Sequence, residues 1–159
     1  MKTILFFLLI LTASISAKEP QWKKFDEGLK LSKLSGKKVL VDVYTDWCSW
    51  CKKMDANTYS DKTVSEYLEK NFVIIKLNAE GAGTISYDGK KISPAEFAQG
   101  MGVTGYPATL FMRSDGQPIT LLPGYSEAGM FIHVLSFISE NRYEKQKFAD
   151  YLTEKGVKQ

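Results

Sequence analysis

The chain has 159 residues, of which 44% are hydrophobic and 25% charged, with 21 basic side chains against 18 acidic ones. That length and balance suit one globular domain with an ordinary core and leave little room for a second. The small positive excess is scattered among acidic residues, which gives no reason to expect a nucleic-acid partner; pairs such as Lys37-Lys38 and Lys90-Lys91 read as solvated faces and turns.

The N-terminus comes first. Lys2 precedes the apolar run "ILFFLLIL" at 4–11, and "TASISA" follows at 12–17. These are the basic, apolar and cleavage regions of a secretory signal peptide. The run is far shorter than the ~20 residues a membrane helix needs. The reading is a signal peptide over 1–17, cut after Ala17, and an exported, periplasmic or extracytoplasmic domain over 18–159. No cysteine stands near the cut, so lipid attachment is not expected.

In the mature chain Trp22, Phe25 and Leu29 step at helical spacing, and "SGKK" closes that helix. "VLVDVY" at 39–44 is β-branched and almost wholly apolar, as a strand covered on both faces should be. It leads into "TDWCSWCKKMD". A further helix starts at "SDKTVSEYLEK", capped by Ser60 or Asp61, with Val64, Tyr67 and Leu68 on one face. "FVIIKLN" at 72–78 is a second buried strand.

Asp88-Gly89, between Ile85-x-Tyr87 and Ile92, predicts a hairpin. Ser93-Pro94-Ala95-Glu96 is a capping box with proline in the first turn, opening a helix that ends near Gly100 or Gly102. "ATLFM" and "PITLL", separated by "SDGQ", form an antiparallel pair. Ser126 opens a last helix with Phe131, Val134, Leu135 and Ile138 inward, continuing with a kink through Tyr151. The fold expected is α/β: a three-layer sandwich with a central mixed sheet flanked by helices.

Both cysteines of the chain stand at Cys48-x-x-Cys51. A closed zinc site needs four ligands and would have to borrow carboxylates, since the chain offers two cysteines and one histidine. Covalent haem would need a histidine where Lys52 stands. An inert disulfide closing so small a loop removes little chain entropy.

A redox couple fits better. The pair sits where a buried strand gives way to a helix, so free backbone N–H groups at the helix start favour a thiolate at Cys48. The attacking sulfur should be exposed and the second one turn further in. Cys48 is thus the expected nucleophile and Cys51 the resolving thiol, with no metal and no cofactor beyond their disulfide. Asp42, an acid in the middle of an apolar strand, is costly there unless it stays neutral or serves a function. It is the expected general acid/base for Cys51, with Lys76 on the next strand as a tuning partner.

On "VDVYTDWCSWCK", "IIKLN" and "GVTGYPATLF" followed by Gly124, the sequence resembles the thioredoxin superfamily from about residue 25 to 138. On "DVYTDWCSWCK", "NTYSDKTV" and "PGYSEAGMFIHVL" it resembles, within that superfamily, the C-terminal domain of the thiol:disulfide interchange protein DsbD and small exported thioredoxin-like proteins. The resemblance implies a thioredoxin fold and a cis bond before Pro107, which would pack beside the cysteines and present the Tyr106 backbone to an extended substrate. It also implies that Trp47 flanks the site and that Asp42 is its buried acid.

The sequence departs from thioredoxin in its Ser49-Trp50 dipeptide, in the bulky Tyr106 before the proline, and in extra residues around 80–93. Trp50, at a helix start, is read as a substrate or partner contact. The uncharged dipeptide points to a moderate thiolate pKa and a reducing couple. The expected activity is therefore reduction of protein disulfides by a monomer recharged from a membrane thiol-electron donor. Oxidase or isomerase action, and a redox-idle client-binding module around Tyr106 and Pro107, stand as alternatives; a copper-handling role has no nearby histidine in its favour. His133, beside the apolar stripe of the last helix, reads as a packing or surface residue.

Overall fold

The computed structural model describes residues 20–157, so the expected signal peptide and its cleavage site lie outside the described residues. The elements run α1 (Phe25–Ser35), β1 (Lys38–Tyr44), α2 (Ser49–Met54) prolonged by a π-helical stretch (Asp55–Tyr59), α3 (Lys62–Asn71) and β2 (Phe72–Asn78). Then come β3 (Ile85–Tyr87), β4 (Lys90–Ile92), α4 (Pro94–Gly100), β5 (Ala108–Met112), β6 (Pro118–Pro123), α5 (Ala128–Ser139) and α6 (Phe148–Glu154).

The main sheet has the order β2-β1-β5-β6, with β1 parallel to β2 and antiparallel to β5. β1 is therefore an inner strand, which is why its sequence is apolar on both faces. Strand alternation sorts the side chains. Leu40 and Asp42 share a face with their register partners Ile74 and Lys76 on β2 and Phe111 and Thr109 on β5. That face packs on Met54, Tyr59, Leu68, Phe131 and Leu135 of α2, the π stretch, α3 and α5. Val39, Val41 and Val43 line the opposite face against Phe25, Ile85, Phe97 and Ala98 of α1, the β3–β4 hairpin and α4. This is the three-layer sandwich expected from the sequence. Each large apolar side chain fully buried between the layers contributes about 1.5–3 kcal/mol.

Several local devices fix these elements. Helix α1 crosses β2 so closely at Gly28 that a Cβ there would lie 2.3 Å from Ile75 Cγ1. Asp61 Oδ1 accepts the Val64 N–H at 3.1 Å, capping α3. Both halves of the Ser93–Glu96 capping box are formed, at 3.1 and 2.7 Å. The hairpin turns on Asp88 (φ 49°) and Gly89 (φ 73°), the two positive φ values that an Asp-Gly turn supplies. Tyr87 then packs edge-on against Phe97 at 5.0 Å, and Asp26 Oδ1 accepts the Ser86 N–H at 2.8 Å, seating the 80–93 segment on α1.

The structure corrects the sequence reading at both ends. Trp22 is not on the first helix. Its segment is extended and pairs with the outer edge of β2, where the Lys23 N–H donates to Ile74 O at 2.9 Å and the Lys76 N–H to Lys23 O at 3.2 Å. The last long helix starts after Glu127 rather than at Ser126, whose carbonyl is taken by the Thr58 hydroxyl at 2.6 Å. It stops at Ser139 instead of kinking onward. Residues 140–147 carry no apolar stripe, and Asn141 adopts the left-handed conformation at φ 56°. A separate α6 then returns Tyr151 and Leu152 to the core.

Candidate active site

β1 delivers the chain to a turn at 45–47, closed by the Cys48 N–H donating to Thr45 O at 3.1 Å. Cys48 is the N-cap of α2, and its Sγ accepts the Cys51 N–H at 3.1 Å. One helical turn brings the two cysteines together, with Cα atoms 5.3 Å apart and the sulfurs bonded as a disulfide. Residues three apart on a helix are neighbours, so the x-x spacing is what permits the bridge.

The expectation of an exposed Cys48 is corrected. Cys48 and Cys51 are each only 4% exposed. The disulfide and the N-cap contact draw the first sulfur into the helix turn, leaving its neighbours outside. Trp47 is 66% exposed and Trp50 is 53%. Trp47 stands edge-on to Tyr106, ring centroids 6.0 Å apart, and its Nε1–H donates to Glu80 Oε2 at 2.9 Å. Trp50 meets Tyr125 at 5.4 Å, with Lys53 Nζ 4.5 Å above its ring.

The Tyr106–Pro107 bond is cis. Pro107 is buried just ahead of β5, where Ala108 lies in register with Val43, and its carbonyl accepts the Gly124 N–H at 2.8 Å. The proline is thus tied to the glycine loop after β6 and set beside the end of β1. The implied cis bond is present, and the residue called Tyr106 in that expectation is the one whose ring meets Trp47.

Asp42 is 2% exposed, in an inner strand. Its Oδ2 is 3.3 Å from Lys76 Nζ, and the ammonium also pairs with Asp55. The Tyr59 hydroxyl donates to Asp42 Oδ1 at 3.4 Å and is 3.1 Å from the Thr109 hydroxyl. With its own proton on Asp42, Tyr59 must accept from Thr109. Burial pushes the Asp42 carboxyl up to about 6, against the opposing pull of the Lys76 cation. Burial penalises the charged form more than one ion pair recovers. The Tyr59 hydroxyl is driven well above its ordinary value by the same burial and by the Asp42 charge.

Lys76 keeps 23% of its side chain exposed and sits between two rings, 5.0 Å from Trp22 and 5.2 Å from Tyr44. Such cation–π contacts contribute about 0.5–2 kcal/mol each. Sequence reasoning paired Asp42 with Lys76 and missed Asp55, Tyr59, Thr109 and Trp22. Asp55 is four residues after Cys51 and so predictably on its helix face; the other three are placed only by tertiary packing. The Thr45 hydroxyl is buried without a hydrogen-bond partner among the described residues. His133 is half-buried on α5.

A helix-capping Cys-x-x-Cys disulfide, a cis-proline loop and a buried acid on the central strand define a thioredoxin fold equipped for thiol–disulfide exchange. Residues 25–139 match the thioredoxin-like domain family, and the chain belongs to it. Among curated proteins it is 28% identical over 109 residues to the thiol:disulfide interchange protein DsbD of Actinobacillus pleuropneumoniae, a match covering 67% of this chain and 17% of DsbD. The chain thus spans less than a fifth of that relative's length.

Among solved structures it resembles a thioredoxin-fold protein from Helicobacter pylori, with a TM-score of 0.63 and 25% identity over 76% of this chain and 80% of that one. The oxidised DsbD C-terminal domain of Neisseria meningitidis shares the fold, with a TM-score of 0.51 and 24% identity over 79% of this chain and 99% of that one.

Proposed function

We propose that the protein is an extracytoplasmic reductase of protein disulfides, with Cys48 as nucleophile, Cys51 as resolving thiol and Asp42 as the acid/base that serves Cys51. The observation that carries this reading is the Cys48–Cys51 disulfide at the N-terminus of α2, reached directly from β1, the strand that holds the buried Asp42. The Cys48 thiolate attacks one sulfur of a substrate disulfide, forming a mixed disulfide and releasing the other sulfur as a thiolate. Cys51 then gives up its proton and attacks Cys48 Sγ. The Cys48–Cys51 bond forms, the mixed bond breaks, and the second substrate sulfur leaves with the electron pair. Two electrons pass to the substrate, whose thiolates gain one proton by way of Asp42 and one from solvent.

The aromatic ring pairs Trp47–Tyr106 and Trp50–Tyr125 form the substrate surface, and the backbone at Tyr106–Pro107 receives an extended segment of the partner. Lys76 tunes Asp42. No cofactor is required, because the cysteine pair stores the electrons. The protein acts as a monomer and is recharged by a membrane thiol-electron carrier; its likeness to a thiol:disulfide interchange protein supports dithiol exchange with a partner. Export rests on the signal-like segment at 1–17; no helix among the described residues is long and apolar enough to cross a membrane.

The test is the reduction potential of Cys48–Cys51 in dithiol buffers, with Cys51→Ser in parallel. A value near thioredoxin's, about −270 mV, and a trapped mixed disulfide on Cys48 are expected. A value near −120 mV, about that of a strong oxidase, would overturn the reductase assignment. Undiminished client binding by a Cys48→Ser, Cys51→Ser variant, with no effect on client redox state, would favour the binding-module reading.

A further inference from the structure

The chain enters the described fold at Pro20 and is pinned within four residues. The Trp22 N–H donates to Pro20 O at 3.0 Å, and Lys23 is bonded on both sides to β2, through Ile74 O and the Lys76 N–H. Lys23 is in register with Ile75, so strand alternation puts Trp22 on the face shared by Ile74 and Lys76, which is also the Asp42 face. The indole packs edge-on to Tyr59 at 4.9 Å while its face lies 5.0 Å from Lys76 Nζ. Tyr59 and Lys76 are the two side chains that hold Asp42. Trp22 therefore touches both of the acid's partners.

The ring also forms one wall of a cleft of about 250 Å³ lined by Pro20, Asp55, Tyr59, Ser60 and Lys76. Lys76 lines that cleft and keeps 23% of its side chain exposed, whereas Asp42 does not line it and is 2% exposed. The charged or titratable groups around Asp42 are Lys76 from β2, Asp55 and Tyr59 from the π stretch, and Tyr44 from its own strand. The Lys23 side chain turns away to Glu27, 3.6 Å off.

We propose that Trp22 is a positioning residue for the redox chemistry, a fixed cover over Tyr59 and Lys76 that keeps bulk water from the carboxyl that exchanges a proton with Cys51. The proposal rests on the reading of Asp42 as that proton carrier. It makes the extended entry segment, outside the helices and loops that carry the cysteines, part of the working site.

The experiment follows the Asp42 carboxyl carbon by NMR against pH in the oxidised protein, for the native chain and for Trp22→Ala, Trp22→Leu and Trp22→Phe. Admitting water to a carboxyl raised chiefly by burial lowers its midpoint, so Trp22→Ala should move it down by at least about half a pH unit. Trp22→Leu should move it part of the way, which supplies a reading should the alanine variant unfold. Trp22→Phe should restore the native midpoint. The pH profile for release of a preformed mixed disulfide by Cys51 should shift in step, while first attack by Cys48 in a Cys51→Ser background stays unchanged. A midpoint that stays fixed or moves upward in the alanine and leucine variants overturns the proposal. Failure of the underlying reading is told apart by Asp42→Asn: a native pH profile in that variant removes Asp42 from the proton path whatever Trp22 does to its midpoint.

Discussion

Replacing Asp42 by asparagine keeps the shape of the side chain and removes its titration. In the folded protein the carboxyl ionises at about 6, against an ordinary aspartate value of 3.8. The native state therefore holds the Asp42 proton more tightly than the unfolded chain does. Below the unfolded value both states are protonated, and stability is complete. As pH rises from 3.8 through about 6, the unfolded state ionises first and stability is lost; above that window the loss is constant.

A difference of roughly two pH units corresponds to about 3 kcal/mol. The Lys76 ion pair is already contained in that figure, because it acts on the same folded-state value. Asp42→Asn should thus stabilise the oxidised protein by about 3 kcal/mol at pH 8, or about 10 °C in Tm, and leave it nearly unchanged at pH 4. Guanidinium unfolding followed by far-UV circular dichroism at the two pH values measures this. An equal gain at both pH values, or a loss at pH 8, would refute the account of Asp42 as a carboxylate strained by burial.

Three other outcomes are expected. Cys51→Ser should lose turnover but accumulate a Cys48-linked mixed disulfide visible by mass spectrometry, whereas Cys48→Ser should form none. Thr109→Val leaves the Tyr59 hydroxyl without its donor in a fully buried site and should cost about 1–3 kcal/mol in chemical denaturation. Gly28→Ala, although alanine is the better helix former, should destabilise by about 1–3 kcal/mol because its Cβ meets Ile75. Pairing it with Ile75→Val should recover part of that loss.

Local sequence determined a good deal of this protein. The capping box at Ser93, the Asp61 cap and the Asp88-Gly89 turn act between residues at most three apart, so the sequence carries them in full. The two buried strands were legible as almost wholly apolar, β-branched runs, and Asp42 stood out because it interrupts one of them. Cys48 and Cys51 were legible because helical spacing alone brings them together.

Tertiary structure decided the rest. It set Trp22 on the edge of β2 instead of on a helix and brought Tyr59 and Thr109, fifty residues apart, to bear on one carboxyl. It also buried the Cys48 sulfur that local reasoning left in solvent. The physical reason is the same in each case. Caps, turns and periodicity are short-range and leave their mark in neighbouring residues, whereas burial depends on which distant segments fill the same layer, and the pKa of Asp42 is a consequence of burial.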